Sequence, residues 1–117
     1  MLSPKQLSDI LVSLNSHFNL SDNPEISIEC NPEDILTGKN LLEEYAKCGI
    51  NRLSIGVQSF LDDELKFLTR CHDAAGSYKS VQIAKNFFAN ISVDIIYSLP
   101  GLTIADTMKN IDAALSL

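Results

Sequence analysis

The segment Asn51-Arg52-Leu53-Ser54-Ile55-Gly56-Val57-Gln58-Ser59-Phe60 constrains this chain more than any other. Leu53, Ile55 and Val57 alternate with small or polar residues, which is the period of a β-strand. Gly56 lets a backbone or a ligand come close, and Gln58 stands where the apolar alternation runs out. A strand of this kind delivers a polar side chain to the end of a sheet, where β/α folds bind their ligands. Two other segments share the design. Ile26-Ser27-Ile28-Glu29 precedes Cys30-Asn31-Pro32, and Ile91-Ser92-Val93-Asp94-Ile95-Ile96-Tyr97 precedes Ser98-Leu99-Pro100-Gly101. Each brings a carboxylate to the strand, Glu29 in the first and Asp94 in the second.

Helices are predicted around these strands. Ser3 and Gln6 have capping-box spacing, and Pro4 occupies a first helical position, where its missing N–H costs nothing. Leu7, Ile10, Leu11, Leu14 and Phe18 then recur at helical spacing, a face that a sheet would cover. His17 follows beside that face near the helix end, where a cation is mildly favoured. The first strand spans Glu25 to Cys30, and Asn31 is positioned to cap a helical turn that opens with Pro32. A second helix is predicted from about Asn40 to Cys48, with Leu41, Tyr45 and Cys48 on one face and Gly49 ending it in the left-handed conformation. After Gln58 comes a short helix with Leu61, Leu65 and Leu68 inward and Asp62, Asp63 and Glu64 in its first turn, a solvated start and not a metal site. A third helix, about Ala74 to Phe88, packs Val81, Ala84, Phe87 and Phe88. Thr103 and Asp106 cap the last one, with Ile104, Met108, Ile111 and Leu115 as its stripe. The order α, β, α, β, α, α, β, α predicts an α/β fold of three parallel strands with flanking helices. Residues 1–117 would form a single partial (β/α) TIM-type barrel domain.

Composition limits the function classes. A chain of 117 residues with 45% hydrophobic content can bury one core, and no apolar run is long enough for a membrane span. Fifteen acidic residues against nine basic ones leave a net charge of −6, which excludes a phosphate-backbone footprint and hence nucleic acid. The first residues lack the basic and apolar regions of a secretory signal, so a cytoplasmic protein is expected. Cys30, Cys48 and Cys71 are odd in number and widely spaced, as three reduced thiols would be.

On local sequence each candidate has two readings. Glu29, at a strand-to-helix junction, either satisfies nearby N–H groups or meets a ligand. Asp94, among Val93, Ile95 and Ile96, faces opposite to Val93 and Ile95 and needs a partner or a ligand there. Arg70, in Thr69-Arg70-Cys71-His72, is a surface arginine or a clamp for a carboxylate.

Glu29-Cys30-Asn31-Pro32, Gly49 to Phe60, Leu68-Thr69-Arg70-Cys71-His72 and Val93 to Gly101, in this order and spacing, resemble the oxygen-independent coproporphyrinogen III oxidase family of radical S-adenosylmethionine proteins. The resemblance covers nearly the whole chain. Its Gly-Val-Gln-Ser-Phe form is closer to the family's haem chaperones than to its oxidases. It implies a partial barrel binding S-adenosylmethionine and a [4Fe-4S] cluster, with Glu29, Gln58, Arg70 and Asp94 contacting S-adenosylmethionine. It also implies a porphyrinogen or haem as the small-molecule partner and a role in porphyrin biosynthesis. The departures are specific. The family's Cys-x3-Cys-x2-Cys cluster motif has no counterpart in this chain, and Ser98 replaces the usual glycine before Leu-Pro-Gly, which would stiffen the strand exit. An internal piece of such a protein is therefore expected, lacking the cluster loop and the later strands. An oxidase, a haem chaperone and an inert half-barrel all remain open. Copies of the chain are expected to associate, because Ile28, Ile55, Val57, Val93 and Ile95 would exceed what one helical layer can cover.

Overall fold

Three strands, β1 (Ser27–Cys30), β2 (Arg52–Gln58) and β3 (Asn90–Ile95), form a parallel sheet in the order β1-β2-β3 in the computed structural model, which describes residues 2–38 and 40–117. The helices are α1 (Pro4–His17), α2 (Pro32–Thr37), α3 (Leu41–Lys47), α4 (Asp62–Phe67), α5 (Ala74–Ala84) and α6 (Ile104–Leu115). The predicted partial barrel of three parallel strands is what forms, with α2 as an added helix where Pro32 had signalled only a first turn. The capping boxes at Ser3/Gln6 and Thr103/Asp106 are both made.

Register decides which face is which. Leu53 pairs with Ile28 and Ile91, and Ile55 with Cys30 and Val93, so these residues share one face. Helices cover it, and Leu53, Ile55 and Val57 are fully buried. Each stabilises the fold by about 1.5–3 kcal/mol through that burial. The other face carries Ser27, Glu29, Arg52, Ser54, Ser92 and Asp94. The expectation that one helical layer could not cover Ile28, Ile55, Val57, Val93 and Ile95 is therefore corrected: all five pack in or against the core under the helices, and the opposite face is polar. A radius of gyration of 16.0 Å, against about 13 Å for a compact chain of this length, and extents of 50 × 27 × 23 Å fit an arc of barrel.

Three helical stripes also differ from expectation. In α1 only Leu7 is buried and Leu11 packs on the core, while Ile10, Leu14 and Phe18 are exposed, because α1 leans on α3 and not on the sheet. Phe87 lies beyond the end of α5 and is exposed, whereas Val81, Ala84 and Phe88 are buried. The stripe assigned to α6, Ile104, Met108, Ile111 and Leu115, faces outward. Its inward face is Asn110, Ala113 and Ala114, followed by Leu117.

Candidate functional site

The carboxyl end of β2 is bulged: Ile55 pairs with Val93 but Gln58 with Ile95, three steps on one strand against two on its neighbour. Gln58 ends it in the left-handed region, φ 68°. That conformation costs a non-glycine residue about 1–2 kcal/mol and collects at functional sites. Gly56 lies just before it. A Cβ there would meet Gln58 Nε2 at 2.8 Å, Asn31 Oδ1 at 3.5 Å and Glu29 Oε1 at 3.8 Å. Three polar side chains from β1, its exit and β2 thus converge over one bare glycine.

Arg70 joins them through the way α4 ends. Thr69 N–H bonds the Lys66 carbonyl at 3.0 Å and Arg70 N–H the Leu65 carbonyl at 2.9 Å, the two bonds of a Schellman motif with Thr69 left-handed at φ 53°. The turn sends the Arg70 side chain back over the sheet end. Its Nη2 donates to Asn31 Oδ1 at 2.6 Å and to the Gly56 carbonyl at 3.3 Å, and its Nε is buried without a partner among the described residues. Two residues on, His72 Nε2 donates to the Val57 carbonyl at 3.0 Å. Its Nδ1 lies 3.3 Å from Glu33 Oε1 of α2. Burial alone would raise Glu33, but its own backbone hydrogen bond, His72 and Arg70 outweigh this and hold its carboxyl below the usual range.

Asp94 sits on the same polar face, one strand over, accepting from Ser54 Oγ at 2.9 Å. Ser92 Oγ donates to Ser54 Oγ at 3.0 Å, and Arg52 donates from Nη2 to Ser92 and from Nη1 to Ser27, at 3.1 and 3.2 Å. The structure brings Glu29, Gln58 and Arg70 around Gly56 and sets Asp94 one pleat back on β3. Sequence reasoning missed Asn31, Glu33 and His72. Asn31 had been assigned as a helix cap, yet it is the N-cap residue of α2 without a side-chain cap bond, which leaves its oxygen to Arg70. The alternation Arg70-x-His72 was the available signal, two donors reaching consecutive carbonyls, Gly56 and Val57.

The acidic trio of α4 needs a correction. Asp62 and Asp63 are exposed, but Glu64 is buried, its Oε2 accepting from Ser59 Oγ at 2.7 Å and Asn110 Nδ2 at 2.8 Å. His17 behaves as a structural residue, exposed with Nδ1 2.7 Å from the Ser13 carbonyl. Cys30 is buried, Cys48 half-buried and Cys71 exposed, all free. Burial, then Asp34 and Glu29, pushes the Cys30 thiol up to about 11. Among the described residues no group of three His, Cys, Asp or Glu could hold a metal ion.

Acceptors and one guanidinium around a bare glycine suit a ligand with ammonium, hydroxyl and carboxylate groups. The family model of the Radical SAM superfamily matches residues 4–114. The haem chaperone HemW of Bacillus subtilis is 37% identical over 99% of this chain and 31% of its own length. A zebrafish (Danio rerio) mitochondrial radical S-adenosyl methionine domain-containing protein 1 is 33% identical over 98% of this chain and 26% of that protein. The chain thus spans about a third or less of these relatives. Among solved structures, the archaeal Methanocaldococcus infernus Elp3 aligns over 75% of this chain and 20% of its own, with TM-score 0.67 and 25% identity. The cobalamin-dependent S-adenosylmethionine radical enzyme OxsB aligns over 93% of this chain and 16% of its own, with TM-score 0.66 and 14% identity, a likeness of fold alone. By its matched domain, the chain belongs to the radical SAM superfamily.

Proposed function

We propose that this chain is the S-adenosylmethionine-holding part of a cytoplasmic haem chaperone of the HemW kind. The observation that carries the reading is the convergence of Glu29, Gln58 and Arg70 on the bare face of Gly56. Gly56 lets the side chains of Gln58, Asn31 and Glu29 close in over its backbone, and the Arg70 Nε, buried and without a partner among the described residues, offers a donor toward a carboxylate. Glu29 would hold an ammonium group, Gln58 and Asp94 hydroxyl and amino groups. S-adenosylmethionine supplies radical chemistry where an iron–sulfur cluster reduces it. The cluster itself does not fit this chain: Cys30, Cys48 and Cys71 lie on separate elements and differ in exposure. Relatives named as haem chaperones in three bacteria favour that reading. The alternative is a coproporphyrinogen III oxidase-like oxidoreductase of porphyrin biosynthesis, favoured by the shared Glu29-to-Gly101 motifs; a third possibility is an inert half-barrel. The open edges of β1 and β3 support association of copies through strand pairing.

Equilibrium dialysis of the chain against labelled S-adenosylmethionine tests the binding part. Saturable binding lost on Gly56→Val supports it, and no binding by the folded chain leaves the inert reading. Haem titration of the full-length protein separates chaperone from oxidase, since only the chaperone should bind haem stoichiometrically.

A further inference from the structure

Gln58 is left-handed at a strand end, and the turn after it runs beyond both ladders, so something other than the sheet must hold it there. The Gln58 carbonyl is taken by Ile96 N–H at 3.0 Å. Three later polar groups of the turn are held by buried side chains. The Ser59 carbonyl accepts from Ser77 Oγ of α5 at 3.0 Å, Phe60 N–H donates to Asn110 Oδ1 of α6 at 2.6 Å, and Leu61 N–H donates to Ser59 Oγ at 2.9 Å. Ser59 Oγ lies 3.0 Å from Asn110 Oδ1 and 2.7 Å from Glu64 Oε2, which also accepts from Asn110 Nδ2. Ser59, Glu64 and Asn110 are 0%, 3% and 1% exposed.

Burying a carboxylate and a carboxamide together is costly unless their bonds are made, and then such a network fixes one geometry. Glu64 Oε1 has no partner among the described residues, a cost that a merely space-filling residue would not incur. The orientation of α6 points the same way: the helix turns Asn110 inward and leaves Ile104, Met108, Ile111 and Leu115 in solvent.

We propose that Asn110, with Glu64 and Ser59, forms a positioning clamp for Gln58, and through it for the S-adenosylmethionine site; this rests on the function proposed above. Asn110 acts through the turn and not on the ligand itself. It fixes Ser59 and Phe60, the residues that determine where a left-handed Gln58 points its amide.

Two readouts on the same 117-residue chain test this. The first is the backbone carbon-13 shift of Gln58, with the exchange rate of the Phe60 amide, in the ligand-free protein. The second is S-adenosylmethionine affinity by equilibrium dialysis. Asn110→Leu, close in size but without the amide, is expected to remove the left-handed signature of Gln58 and weaken binding by about tenfold. Glu64→Gln keeps an acceptor for Ser59 and Asn110 and should preserve both readouts. Should Asn110→Leu fail to fold, Ser59→Ala removes a single hydroxyl and is expected to speed exchange at Phe60. Variants that keep the Gln58 shift and the Phe60 protection would overturn the clamp. A wild-type chain that does not bind S-adenosylmethionine would instead overturn the proposed function, and the first readout would still decide the clamp.

Discussion

His72 donates from Nε2 to the carbonyl of Val57 at 3.0 Å, so a loop side chain occupies an acceptor that pairs in neither ladder. The imidazole is 1% exposed, which leaves water little access to take its place. Replacing His72 with Ala should strand that carbonyl and cost about 1–3 kcal/mol. Urea unfolding followed by circular dichroism measures it, and an unchanged midpoint would mean that the bulge does not depend on His72.

Glu33, on the far side of the same imidazole, gives a pH dependence with a definite sign. Its folded-state pKa is lowered from the ordinary 4.5, so its contribution to stability is present above that value. It is lost as pH falls through the lower folded value. Unfolding midpoints taken on a descending pH series should drop faster for the wild-type chain than for Glu33→Gln. Parallel curves would remove Glu33 from the account.

Thr69 and Ser98 occupy left-handed positions, at φ 53° and 61°. Ser98, which the resemblance sets against a glycine, was expected to stiffen the strand exit; its φ shows strain at that position. Relief of strain outweighs the entropy that glycine loses, so Thr69→Gly and Ser98→Gly should each stabilise the fold by up to about 1 kcal/mol. Denaturant midpoints check both. A destabilised Thr69→Gly would mean that the bond from Thr69 Oγ1 to the Leu68 carbonyl, at 2.8 Å, outweighs the strain.

If Arg70 and Asp94 hold S-adenosylmethionine, Arg70→Ala should remove a charge-assisted contact of roughly 1.5–3 kcal/mol, and Asp94→Ala a comparable one. Binding then weakens by about one to two decades for each. Dialysis decides it, with folding verified by circular dichroism. Equal affinity in both variants would return Arg70 to bracing Asn31 and Gly56, and Asp94 to bracing Ser54.

The thiols should separate by burial. Maleimide at neutral pH is expected to label Cys71 first and Cys48 more slowly, with Cys30 reacting only on unfolding. The raised Cys30 pKa adds stability that is complete below its ordinary 9.0 and is lost as pH climbs toward about 11. Mass spectrometry of labelled peptides reads the order, and early modification of Cys30 would contradict the packing.

The strands and the capping boxes at Ser3 and Thr103 were legible because their signals are local. Alternation at Leu53, Ile55 and Val57 needs no partner to be read, and Gly49 announced a left-handed helix end that the structure has at φ 100°. Thr69 makes the same Schellman ending as Gly49 but carries no such signal, so the turn that aims Arg70 was invisible. The α6 stripe was misread because periodicity finds an apolar face without saying what lies beneath the helix. A single polar residue, Asn110, had bonds to make inside, and these outrank the apolar stripe. The polar sheet face was misjudged for a related reason: alternation separates two faces but does not say which one the helices will take.

The bond from Phe60 to Asn110 joins residues 50 positions apart. On the ribosome, the strand bearing Gln58 emerges well before the helix that fastens it, so maturation of the pocket should be timed by the arrival of α6. Nascent chains stalled before Asn110 clears the exit tunnel should hold their sheet yet leave the Phe60 amide open to exchange, with protection appearing abruptly once that residue is free.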